Sequence, residues 1–216
     1  MLLLSFFLSL LTVAHGQVQV DGRFPPPSFN KAQLSPRSIV SLPSMNNFAL
    51  LQAAKAEELV HPGPFKFGEA APLKLDMAAG DGEWISDKQH RRRIWRAMVK
   101  SPAAVSISIL FSEFYLPPDS EFYIVGKNGE RLGAFTGSIN NKEDGKFATA
   151  PIAGDTVILE YNEPIPPVDA TGRKAAIKVH KVVHGFRKTI LDTDSSGRCN
   201  IDVMCPEGRG KVLPVR

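Results

Sequence analysis

The residues with the most chemical potential in this chain are two cysteines, Cys199 and Cys205, in the stretch Ser-Gly-Arg-Cys-Asn-Ile-Asp-Val-Met-Cys-Pro-Glu-Gly at 196–208. The chain has 2 cysteines in all, so nothing upstream of residue 199 offers a thiol. Their six-residue offset matches no common zinc pairing. Pairing with each other would close a very small ring, so disulfides to cysteines elsewhere are favoured, and this chain contains no others. His180 and His184 have the four-residue spacing that sets two metal ligands on one helix face. Yet Ile177, Val179, Val182 and Val183 around them are β-branched and read as strand. No Glu follows His180, so the zinc-protease pattern is missing and both histidines are expected as polar strand residues. His61 and His90 have no partner motif. A Ser/His/Asp triad draws its members from distant parts of a chain. Of its local signatures, Gly-x-Ser-x-Gly, Gly-Asp-Ser-Gly-Gly and Thr-Ala-x-His-Cys are all missing. Gly126-Lys127-Asn128-Gly129 leads into no helix and reads as a hairpin turn, not a phosphate loop. The expectation is no catalytic residue, no metal and no cofactor.

The elements that must position these residues follow from periodicity. Trp95, Ala97 and Val99 alternate within 93–100, and Val105, Ile107, Ile109 and Phe111 alternate with Ser106, Ser108 and Leu110. Each set would bury one face of a strand. Residues 121–127 and 130–136 read as a hairpin about Asn128-Gly129, the pair a type I′ turn favours. Residues 156–161 and 175–183 read as two further strands. Before them, Asn46 or Asn47 would cap a short Ala-rich helix carrying Phe48, Leu51, Ala54, Ala56 and Leu59, ended by His61-Pro62. Six or more strands, hairpin links and one helix predict an all-β fold: an antiparallel β-sandwich with one short N-terminal helix. Trp95, Val105, Ile107, Ile109 and Val157 are its expected core. His90-Arg91-Arg92-Arg93, with Arg96 and Lys100, is expected as a solvated charged face, or more sharply as an interface to a negatively charged partner. Trp84, Tyr115 and Tyr123 are candidates for a surface contact patch.

Targeting and composition set the frame. Leu2 to Leu11 is apolar except for Ser5 and Ser9, and Ala14-His15-Gly16 offers small residues for signal-peptidase cleavage after Gly16. That run is shorter than the ~20 residues a membrane-spanning helix needs, so a secretory signal over 1–16 is expected and a membrane anchor is not. Secretion and a net charge of only +4 argue against a nucleic-acid partner. At 43% hydrophobic and 22% charged, the remainder is globular. Its expected organisation is a proline-rich irregular lead-in at 17–45, helix and sandwich at 46–184, a small and polar linker at 185–198, and the cysteine-bearing segment at 199–216.

The cysteine stretch resembles the start of the mature chain in lysyl-endopeptidase-like secreted serine proteases. Further pieces resemble the pro-region of the same family, in order: His61-Pro62-Gly63-Pro64-Phe65-Lys66-Phe67-Gly68, Ile94-Trp95-Arg96, Ser101-Pro102-Ala103-Ala104-Val105-Ser106, Phe114-Tyr115-Leu116-Pro117-Pro118-Asp119, Thr149-Ala150-Pro151-Ile152-Ala153-Gly154-Asp155 and His184-Gly185-Phe186-Arg187. The resemblance covers roughly 44–210. It implies a secreted precursor whose β-rich pro-region precedes a trypsin-like double barrel, with Cys199 and Cys205 paired to cysteines of that barrel. It implies a protease catalytic domain as partner, and Lys188 and Arg198 as candidate processing positions in the linker. No triad member falls within this chain, so no catalytic residue carries over. Arg216 stands where the protease domain would be starting, so a fragment or a truncated product is expected. A free-standing secreted β-sandwich binding module is the alternative.

Overall fold

A computed structural model of the chain describes residues 18–23, 34–61, 63–165 and 172–188. Its elements are β1 (Ile39–Ser41), α1 (Asn47–Val60), β2 (Gly68–Asp76), β3 (Glu83–Asp87), β4 (Arg92–Lys100), β5 (Ser106–Tyr115), β6 (Glu121–Gly126), β7 (Arg131–Thr136), the single turn α2 (Gly137–Asn140), β8 (Phe147–Ala148), β9 (Ile152–Ala153), β10 (Thr156–Pro164) and β11 (Ala176–Gly185). They form an all-β sandwich of two sheets with one substantial helix. The first sheet runs β1-β4-β10-β6-β7 with β3 beside β4; the second runs β2-β11-β5-β8 with β9 beside β5. Every pairing is antiparallel except that of β1 with β4. Within the proline-rich lead-in, Ile39–Ser41 thus adds a short parallel edge strand. Val20 also exchanges two backbone hydrogen bonds with Ala134 of β7.

The core lies between the sheets. Trp95, Ala97 and Val99 of β4 and Val157, Leu159 and Tyr161 of β10 line the inner face of the first sheet, all of them fully buried. They meet Ile107, Ile109 and Phe111 of β5 and Ile177, Val179 and Val182 of β11 in one hydrophobic cluster. Of the expected core, Trp95, Ile107, Ile109 and Val157 are here; Val105 is only half-buried, because it precedes β5 and its backbone is taken up by the bend from residue 101. Five phenylalanines join the sheets. Phe114 of β5 stacks on Phe147 of β8 at 4.3 Å between ring centroids. Phe122 of β6 meets Phe111 edge-on at 5.7 Å and Phe114 at 5.4 Å. Phe135 of β7 meets Phe147 at 5.0 Å. Tilted and edge-to-face contacts at these spacings each add roughly 0.5–1.5 kcal/mol beyond area burial.

Three local features depart from simple alternation. The β6–β7 turn places only Gly129 at positive φ (86°), with Gly129 N donating to Gly126 O and Gly126 N donating to Glu130 O. That is a three-residue loop with its glycine in the left-handed position, not the two-residue type I′ turn expected from Asn-Gly. β11 shifts register against β5 on both sides of Val179. The irregularity leaves His180 and Lys181 exposed and turns Val182 and His184 inward. α1 is capped as expected, with Asn46 Oδ1 accepting from Ala49 N at 3.1 Å. Of its apolar residues only Ala54 is buried, whereas Phe48 and Leu59 are 72% and 87% exposed.

Phe114→Ala is expected to lower stability by about 3–5 kcal/mol, since the site is walled by other rings and cannot collapse. Urea unfolding should show a lower midpoint with an unchanged slope.

Candidate functional site: the chain exit at helix α1

Of the residues singled out in the sequence, His184 stands at the end of β11, where the linker begins, and the fold brings Ser101 and Asn47 to it. Because Asn46 serves as the cap, the side chain of Asn47 is free to reach sideways. Its Nδ2 donates to Ala103 O at 2.7 Å, which fixes the amide orientation, and its Oδ1 faces His184 Nε2 at 2.7 Å. The other ring nitrogen, His184 Nδ1, lies 2.7 Å from Ser101 Oγ. An amide oxygen only accepts, so Nε2 carries the proton and Nδ1 accepts from the Ser101 hydroxyl. The neutral ring thereby satisfies both nitrogens. Ala103 holds the bend at φ 66°, a left-handed value uncommon for a residue with a Cβ. The bend is tied on by Val105 N donating to Gly185 O (2.7 Å) and Ser101 N donating to Asp155 O (2.9 Å). Gly185 admits no side chain: a Cβ there would lie 2.2 Å from Ser101's neighbour in this junction, Ser106 Oγ.

Serine, histidine and asparagine in a hydrogen-bonded row have the outline of a nucleophile, a base and an orienting group. The environment argues otherwise. Ser101 and His184 are both 0% exposed, so no substrate carbonyl reaches the hydroxyl. What the row does is join three elements: the first turn of α1, the 101–105 bend and the last turn-in of β11. Burial holds the His184 pKa below its ordinary value, which keeps the ring neutral. His180 takes no part. Both histidines are strand residues of β11, as expected, but its irregularity leaves His180 exposed and His184 buried.

Beyond His184 the chain stays attached. Phe186 is buried and its N–H donates to Phe67 O at 3.0 Å. Arg187 donates from Nε to Lys66 O at 2.7 Å, pairs with Glu58 of α1, and lies 3.7 Å over the Phe65 ring. The guanidinium hydrogen bond holds the Glu58 carboxyl below the usual carboxylate range. Lys188, the first candidate processing residue, is exposed. Arg198, Cys199 and Cys205 lie outside the described residues.

The basic run is a solvated face only in part: His90, Arg91 and Arg93 are exposed, whereas two of its arginines are withdrawn. Arg92 and Arg96 are 7% and 5% exposed. Arg92 donates to Asp87 Oδ2 (3.0 Å) and Asn162 Oδ1 (3.0 Å), and Arg96 to Glu83 Oε1 (3.2 Å). His90 and Arg92 together hold the Asp87 carboxyl down at about 2. Sequence reasoning missed this network. The signal was Ile94 between Arg92 and Arg96, which put both arginines on a strand face that also carries an apolar residue. Glu160, opposite Arg96 in register, is 1% exposed. Burial pushes its pKa up to about 7, against the pull of its Asn162 hydrogen bond and the arginines.

A cavity of about 500 Å³ opens at the edge of the sandwich, with Trp84, Arg93, Glu163, Pro117 and Arg173 among its lining. Arg93 pairs with the buried Glu163 and lies 4.7 Å over Trp84, while Glu163 also accepts from the Tyr161 hydroxyl at 2.9 Å. Tyr115 is stacked under Arg173 at 3.7 Å. Tyr123 does not belong to this surface: it is 1% exposed and donates to Glu121 Oε2 at 2.8 Å. Of the three candidate surface aromatics, Trp84 lines this cavity, and Tyr115 packs behind it against the lining Arg173. No protein-family model matches this sequence, and no solved structure matches this fold.

Two pH responses of opposite sign are expected. The depressed pKa of His184 contributes stability that is present above the ordinary histidine value and lost as pH falls below it. The raised pKa of Glu160 contributes stability that is present below the ordinary carboxylate value and lost as pH rises through about 7. Asn47→Ala, which strands the His184 Nε2–H, is expected to cost about 1–3 kcal/mol at pH 7.5, and less at pH 5. Glu160→Gln is expected to gain on the parent as pH rises from 5 to 8, by on the order of 3 kcal/mol at 1.4 kcal/mol per unit of pKa shift. Urea midpoints of the three proteins at pH 5, 6, 7 and 8 measure both, and parallel curves would contradict them.

Proposed function

We propose that this sandwich is the pro-region of a secreted, trypsin-like serine endopeptidase precursor, and that it works by binding its protease domain as folding template and inhibitor. The supporting observation is the chain exit. The sandwich has a complete core without a cysteine, and it holds its last residues by His184, Phe186 and Arg187 against the 101–105 bend and α1. The small, polar linker and the cysteine stretch thus start from a fixed place on a finished module, as the resemblance to lysyl-endopeptidase-like precursors implies. A large β-barrel rich in non-local contacts folds slowly, so a pre-folded neighbour has a barrier to lower. Residues 1–16 would direct secretion, and Cys199 and Cys205 would pair within the protease domain.

Processing would separate the two parts within 185–198. Lys188 directly follows the anchored Arg187, so a protease cutting there would have to pull Arg187 off Glu58 and Lys66. Cleavage susceptibility follows backbone attachment, and this disfavours Lys188 of the two candidate positions. Mass spectrometry of secreted protein is expected to find an N-terminus at Gln17 and a cut after Arg198, with little after Lys188. Intact linker throughout would defeat the processing reading. Adding the sandwich to a refolding lysyl-endopeptidase-like catalytic domain is expected to raise the yield of active enzyme roughly tenfold and to inhibit the product; no effect on either would defeat the template and inhibitor roles.

The cavity at Trp84 favours a second reading, a free-standing secreted binding module. An indole, two arginines and a buried carboxylate around one opening suit a ligand with both a flat face and polar groups. Quenching of Trp84 fluorescence by glycans or proteins, lost in Trp84→Ala, together with no affinity for the catalytic domain, would establish that reading instead.

A further inference from the structure

α1 turns its apolar side away from the sandwich. Phe48 and Leu59 lie eleven residues apart, three turns of helix, and so share one line along it. Ala49, Gln52, Ala56 and Val60 complete a strip about a third of the helix circumference wide that carries no charge, and all six residues are exposed. Phe48, Leu59 and Val60 are 72%, 87% and 70% exposed, the largest apolar exposures in the described structure. An Ala-rich helix with aromatic and aliphatic side chains facing water presents a surface built for cover.

The path of the chain selects the cover. Val20 is tied to β7, Arg23 to Glu121 of β6, and Ser35 to Glu83 of β3, so both ends of the unassigned stretch between Arg23 and Ser35 are held on the first sheet. The C-terminal segment instead leaves from beside the helix, where Arg187 grips Glu58 and His184 grips Asn47. Residues 188–198 span up to roughly 36 Å when extended, and the helix is about 21 Å long. Every point of the strip is therefore within reach of residue 199. The segment beyond carries Ile201, Val203, Met204 and Leu213, interspersed with Asp202, Glu207, Arg209, Lys211 and Arg216. We infer that the exposed face of α1 is the docking surface for the cysteine-bearing segment of this same chain, residues 199–216, through its apolar side chains. The inference stands whether or not the pro-region reading does, since it concerns residues of this chain alone.

The test is photo-crosslinking in the full chain. Benzoylphenylalanine replaces Phe48 or, separately, Leu59; a third protein carries it at the exposed Glu143 as control. The expected result is crosslinks within one chain from 48 and 59 into 199–216, and none from 143. Crosslinks between two chains would make the strip a self-association face and overturn the inference, as would benzophenone left unreacted with protein. A second readout uses thiol labelling under reducing conditions. Leu59→Asp, an exposed substitution that leaves the sandwich core untouched, is expected to speed dye labelling of Cys199 and Cys205 roughly tenfold. Unchanged labelling rates would overturn the inference.

Discussion

Everything else in this molecule hangs on the aromatic interlock between its two sheets. Phe111, Phe114 and Phe147 come from one sheet and Phe122 and Phe135 from the other, so each ring is gripped by rings of the opposite layer. With no cysteine before residue 199, the described strands have no covalent staple, and stability must come from burial. Dense ring packing meets that need, because aromatic side chains remove the most apolar area per residue from water.

That rigidity is what allows polar groups to be buried at the edges. Arg92, Arg96 and Glu160 are withdrawn from water on the outer face of the first sheet, and His184 on the inward side of β11. Each is costly alone and tolerable in company. Their partners are held on different strands, so the polar groups tie strands into register while the rings hold layers together. The His184 row extends the same logic to the helix: α1 has one buried residue, Ala54, and is attached chiefly by Asn47 and Glu58.

How much of this could be read in advance depended on whether a feature is local. The β4 alternation is local, and Trp95, Ala97 and Val99 went where period two sends them. The hairpin at Asn128-Gly129 was legible in place but not in type, since flanking Lys127 joins the loop and changes the count. The position of α1 was written in its cap and its alanines. Its orientation was not, because which side packs is decided by Asn47 and Glu58 finding partners more than a hundred residues away. His184 was illegible for a related reason: the irregularity in β11 arises from pairing with β5, and without it His180 and His184 look equivalent. Within the cation run, the burial of Arg92 and Arg96 was not legible, because nothing local marks Asp87, Asn162 and Glu83 as the groups they meet.

Strand order carries a consequence for how the molecule is made. β10 lies between β4 and β6, and β11 lies between β2 and β5, so the last two strands to be synthesised are interior strands of their respective sheets. The first sheet has no continuous ladder until residue 164 is made, and the second none until residue 185. During translation the earlier strands present unpaired edges that invite mispairing. Cys199 and Cys205 follow these strands in the sequence, so both sheets can close before either thiol is made.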